Sequence, residues 1–121
     1  MRLAVERLAV GVLVAGFAIG TTTHTLQLVN RGWVVFASAP VWMNAYWTAL
    51  TFLDPLAAVL LIRARRAGLV LALAIMVSDV TVNSYALHGL GLPFAVWALQ
   101  IQTLFLGFLV GAVGFLWRKA P

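Results

Sequence analysis

The sequence predicts an all-α fold, an integral membrane four-helix bundle with both chain ends on the cytoplasmic side. Three observations lead there. Of the 121 residues, 64% are hydrophobic and only 9% charged, where an average soluble domain has about 45–50% and about 25%. The length accommodates four spans of about 20 apolar residues with short connections, as one domain over residues 1–121. All eight basic residues fall between or beyond the apolar segments.

The first span is read over residues 8–28, after a head carrying Arg2, Glu6 and Arg7. It ends in the polar run Thr21, Thr22, Thr23, His24, Thr25 and Gln27, ahead of an Asn30-Arg31-Gly32 turn. Its start has the basic end and apolar middle of a signal peptide, but no polar mature segment follows, so a retained first helix is expected. Residues 33–36 are apolar yet too few to cross, and are expected to lie along the membrane surface. The second span, residues 41–62, starts after Pro40 and stops at Arg63, Arg65 and Arg66, which also form the hairpin turn. The third, residues 67–87, ends at the uncharged turn His88-Gly89-Leu90-Gly91. The fourth, residues 93–117, opens on Pro93, a residue suited to a first helical turn, and stops at Arg118 and Lys119. There is no internal repeat.

Basic residues in short loops set orientation. One side collects Arg2, Arg7, Arg63, Arg65, Arg66, Arg118 and Lys119, and the other has only Arg31. That seven-to-one split places both termini inside and argues against dual topology. The expected location is a bacterial inner (plasma) membrane. The net charge of +5 is accounted for by this orienting role, so no nucleic-acid partner is expected. The absence of cysteine excludes disulfides, thiolate nucleophiles, iron–sulfur clusters and Cys-type zinc sites.

Of three acidic residues, Glu6 sits beside Arg2 and Arg7, whereas Asp54 and Asp79 fall deep within the second and third spans. An ionisable residue at mid-membrane costs on the order of 3 kcal/mol even on lenient insertion scales, so it faces a polar interior and is a functional candidate. At a rise of about 1.5 Å per residue, Asp54 lies roughly 12 Å and Asp79 roughly 18 Å from the cytoplasmic edge, close enough in height to share a site.

Helical periodicity gives each span one polar or small-residue face. On the second span it carries Asn44, Trp47, Thr48, Thr51 and Asp54; on the third, Ala72, Met76, Asp79, Asn83 and Ala86. On the fourth it carries Val96, Gln100, Thr103, Gly107, Gly111 and Gly114; on the first, Gly16, Gly20, Thr23, His24 and Gln27. Such faces pack inward in lipid, and Gly16/Gly20 and Gly107/Gly111 are assigned to packing within the bundle. The polar residues crowd toward the outer half, which predicts a bundle closed at the cytoplasmic end and polar toward the outside, with Trp42, Tyr46, Trp47 and Trp97 around the mouth.

The candidate catalytic pair is Asp54 and Asp79. The candidate ligand-binding residues are His24, Asn44, Trp47 and Thr51 on the first two spans, with Asn83, Trp97 and Gln100 on the last two. Two carboxylates sharing a low-dielectric site suit proton exchange, cation binding or general acid–base work, while the bland alternative is that each is satisfied by neighbours and locks helix register. Pro55 removes the helical partner of the Thr51 carbonyl, which is read either as a packing kink or as a further acceptor facing the ligand. No metal site is read. His24 and His88 raise bis-histidine haem ligation as a cofactor alternative, although histidines at span ends are more often interfacial. The aromatic group admits a cationic ligand, but Trp and Tyr are expected at membrane interfaces in any case.

Arg2 and Glu6 at the head of the first helix, His24 near its outer end, and Asp54-Pro55 within the second make the layout resemble the emopamil-binding (sterol isomerase and sigma-2 receptor) family over part of the chain. That resemblance implies a membrane bundle with an acidic pocket for lipophilic amines or sterols. There an acidic side chain pairs with a ligand amine or shuttles protons at a double bond, and Asp54, with His24, are the positions carried over. The loops here are shorter than in that family. A looser resemblance is to small four-helix bacterial membrane proteins of the DoxX type.

The expected function is binding of a small lipophilic or cationic ligand in an acidic pocket open toward the outer leaflet, with isomerase-like acid–base chemistry as one use of it. The alternatives are a proton-coupled transporter or channel subunit using the same aspartates, and a structural subunit of a membrane complex. Membrane lipid is an expected partner, and a homo-oligomer is compatible with the sequence.

Overall fold

The computed structural model describes residues 1–117 and contains four helices, each long and apolar enough to cross a membrane, with no strand among the described residues. The stop assigned to Arg118 and Lys119 lies outside the described residues.

Helix α1 (Arg2–Arg31) has 30 residues, roughly 45 Å at the usual rise. It overshoots the expected span at both ends because nothing in its charged head or polar tail breaks a helix. It stops at Gly32, whose φ of 79° suits glycine and whose N–H donates to the Leu28 carbonyl. Helix α2 (Val41–Arg63) begins after the extended Pro40 and runs unbroken through Pro55. Only Ala64 separates it from α3 (Arg65–Ser84). So tight a corner forces the two helices together, and Gly68 lies so close to the backbone of Leu60 and Leu61 that a β-carbon there would collide.

Helix α3 widens into a π-helical turn, Tyr85–Gly89, before the chain reverses at Gly91, with φ of 65°. Helix α4 (Val96–Leu116) starts later than Pro93 suggests. The buried Leu92 is anchored in the core, its N–H donating to the Ala86 carbonyl, and the Phe94 N–H donates back to Leu92. These contacts hold residues 92–95 out of helical geometry until Ala95, extended at φ −68° and ψ 122°, caps α4.

Sequence-adjacent helices pack together, while α1 and α4 barely touch. Met1, the corner at Ala64 and the end of α4 share one end of the bundle, called here the terminal end. Residues 32–40 and 90–95 share the other, the loop end. The terminal half is solidly filled by Leu13, Ala57, Leu61, Leu69, Leu109 and Leu116, all buried. At that end Arg2 lies over Phe115 and Arg66 over Trp117, at 4.9 and 5.2 Å from the ring centroids.

Two sequence expectations are corrected. The small-residue face of α4 points outward: Val96, Gln100, Thr103, Gly107, Gly111 and Gly114 are all exposed, and β-carbons added at the three glycines would meet nothing within 4 Å. The inward face carries Leu99, Leu109, Ala112 and Leu116, because large side chains fill the space between helices and bury more apolar surface than glycine can. Residues 33–36 do not all lie outward on the surface either. The Asn44 side chain accepts from the N–H groups of Val35 and Phe36, at 2.8 and 3.1 Å, and donates to the Phe36 carbonyl at 3.0 Å. The connection is thereby drawn in over the loop end, where Phe36 packs edge-on against Trp47 at 5.5 Å.

Candidate functional site: a polar-ended cavity

In the loop-end half the four helices enclose a cavity of about 450 Å³. On α1 the wall is the stripe Gly16, Gly20, His24 and Gln27. The neighbouring polar run stays helical, and its hydroxyls are satisfied along the same helix: Thr21 donates to the Phe17 carbonyl, Thr22 to Ala18 and Thr23 to Ile19, at 2.8–2.9 Å. The two glycines leave room for what faces them. A β-carbon at Gly20 would strike the Asp54 carboxylate, and one at Gly16 would strike the Phe105 ring.

From α2 come Trp47 and Asp54, only 3% and 5% exposed. Asp54 directs its carboxylate toward α1, with Oδ2 3.8 Å from His24 Nε2. That separation is longer than a hydrogen bond and makes an ion pair only when the imidazole carries a proton and the carboxyl does not.

From α3 come Met76, Asp79 and Asn83. Asn83, 1% exposed, is the hub of a network across three helices. Its Oδ1 accepts from Trp47 Nε1 at 2.7 Å, and its Nδ2 donates to Asp79 Oδ1 at 2.9 Å and to Gln102 Oε1 at 2.8 Å. A fully satisfied amide in a low-dielectric interior fixes the orientation of each partner.

Most of the remaining wall is apolar: Phe36 from the connection, then Phe94, Trp97, Ala98, Ile101 and Phe105 on the side of α4, with Gln102 and Thr23 as its polar members. Of the lining, Ile19, Trp97 and Ile101 are 57–68% exposed. They flank the gap between α1 and α4, so the cavity opens sideways through the surface of the bundle. Its carboxylates lie deep, while exposed apolar side chains, with Thr23 beside them, flank its mouth.

The structure thus gathers Asp54, Asp79, His24, Trp47, Asn83 and Trp97 about one cavity. Three other candidates are elsewhere. Asn44 is used by the 32–40 connection; Thr51 is buried with its hydroxyl unpartnered and does not line the cavity; Gln100 is exposed on the outer face of α4. Of the aromatic residues expected at the mouth, Trp42 is exposed away from it, and the Tyr46 hydroxyl is bonded to Ser78 at 2.6 Å between α2 and α3. His88 is exposed and does not line the cavity, so it does not stand with His24. Among the described residues no group of three His, Asp or Glu side chains is placed to hold a metal ion.

Gln102 and Phe105 were not among the candidates. The signal for them is the spacing Leu99, Gln102, Phe105 and Leu109, an inward stripe of large residues that the glycine series on the opposite face obscures. Comparisons with protein-family models, with curated proteins and with solved structures find no match for this chain.

Proposed function

We propose that this chain is a ligand-binding protein of a bacterial inner (plasma) membrane, inserted with both ends on the cytoplasmic side, whose cavity receives a small lipophilic or cationic molecule from the outer leaflet. The observation that carries this reading is the cavity's polarity gradient. A gap flanked by Ile19, Trp97 and Ile101 leads to a buried end holding Asp54, Asp79 and Asn83. An apolar ligand body matches the walls, and a cationic or hydrogen-bond-donating group matches the carboxylates. The same two carboxylates with His24 would serve isomerase-like acid–base chemistry on a bound molecule, in keeping with the resemblance to the emopamil-binding family.

Proton-coupled transport through the monomer requires a polar path to the terminal end. There Leu13, Leu61, Leu69, Leu109 and Leu116 fill the interior, which favours a blind binding site. Titration of the purified protein with a fluorescent lipophilic tertiary amine tests the reading, because Trp47 and Trp97 line the cavity and would be quenched on binding. Saturable quenching that an uncharged analogue of the same shape reproduces only weakly supports it with the carboxylates as the recognising groups; equal quenching by both removes the carboxylates from recognition, and no saturable quenching by either contradicts the reading.

A further inference from the structure

At the end of the bundle opposite the cavity, α1 and α2 leave a separate groove of about 300 Å³. Its length is apolar, formed by Val10, Gly11 and Val14 of α1 and Leu61 and Ile62 of α2, and its rim toward the terminal end carries Arg7 and Arg65. The basic residues at this end are not equivalent. Arg2 stands 3.8 Å from Glu6 and over the Phe115 ring, and Arg66 lies over the Trp117 ring. Arg7 and Arg65 make no ion pair among the described residues, yet they flank the same groove from two helices.

We propose that this groove binds an anionic phospholipid of the adjacent leaflet, with its phosphodiester between Arg7 and Arg65 and an acyl chain along Val10, Val14 and Ile62. Guanidinium is suited to phosphate because its fork of donors matches the phosphate oxygens while its weak hydration makes desolvation cheaper. Basic pockets between membrane helices hold anionic head groups for the same reason. The orienting role of these arginines needs only their charge; the groove between them adds a shape that fits a chain. The site rests on the membrane placement proposed above and not on the cavity.

Native mass spectrometry of the full chain in detergent, with phosphatidylglycerol or phosphatidylcholine added, reads the site directly. Phosphatidylglycerol should be retained about tenfold better than phosphatidylcholine. The double variant Arg7→Gln/Arg65→Gln should lose that preference. Arg63→Gln/Arg66→Gln removes the same charge from the same end outside the groove, and should keep it. Gly11→Leu keeps both guanidiniums and fills the groove, since a β-carbon there meets nothing within 4 Å, and should also lower retention. Equal losses in the two arginine doubles, no effect of Gly11→Leu, or displacement of the lipid by soluble glycerol phosphate would each overturn the site. A chain that floats with liposomes but shows no preference overturns the site alone, whereas one that fails to float overturns the membrane placement with it.

Discussion

His24 Nε2 stands 3.8 Å from Asp54 Oδ2 across the α1–α2 interface, and Gly20, one turn before His24, is what allows the carboxylate to lie there. Gly20→Ala should therefore push the Asp54 carboxylate away from His24, forgo the stability that the same change adds elsewhere in a helix, and weaken binding of the amine probe. Gly107→Ala and Gly111→Ala are the controls. Both point into open space, so each should be neutral or raise stability by about 0.5–1 kcal/mol, the helical cost of glycine. Thermal melts in one detergent compare all three.

Asn83 should be the least replaceable polar residue of the bundle. Asn83→Leu removes one acceptor and two donors at once, orphaning the Trp47 indole N–H, the Asp79 carboxylate and the Gln102 carbonyl. Each buried group left unpartnered costs about 1–3 kcal/mol, so expression of folded protein should fall sharply. Size-exclusion profiles of the solubilised variant check this.

Asn44 is expected to matter for stability and only indirectly for binding. Asn44→Ala frees residues 32–40 by deleting three hydrogen bonds and should raise amide exchange at Val35 and Phe36 before it affects α2. Asn44→Asp keeps the acceptor for both N–H groups and should recover much of the protection.

The sequence carries the four helices openly because their apolar lengths and the Gly and Pro punctuation act locally, each within one turn of the chain. It also singles out Asp54, Asp79, His24 and Asn83, since a polar group inside an apolar span has few places to go except toward other polar groups. Helix rotation is harder to read. On α4 the polar and small stripe through Gln100, Gly107 and Gly111 suggests an inward face, but α4 packs chiefly on α3, and the face it buries carries Leu99, Leu109, Ala112 and Leu116. Gln102 is missed for that reason. Asn44 shares its face with Trp47 and Asp54, and only the path of residues 32–40 determines that its amide is used by the connection.

Placement in the membrane is open to chemical labelling, since the chain contains no cysteine and single cysteines can be introduced at exposed positions. Ala64→Cys, at the α2–α3 corner, should react with a membrane-impermeant maleimide only after the cytoplasmic side is opened. Gly89→Cys, after α3, should react in intact cells. The reverse pattern would invert the proposed orientation.

The central claim is that Asp54 and Asp79 serve a ligand more than the fold, and Asn substitutions separate the two. Asp54→Asn and Asp79→Asn keep side-chain volume, and a new amide carbonyl at position 79 can still accept from Asn83, so structural loss should be small. Paired measurement of melting temperature and amine-probe affinity on these variants is the direct test. The account predicts an unchanged or slightly raised melting temperature with affinity reduced at least tenfold, about 1.4 kcal/mol. Unchanged affinity together with a marked drop in melting temperature would contradict it and make the aspartates elements of the bundle's architecture.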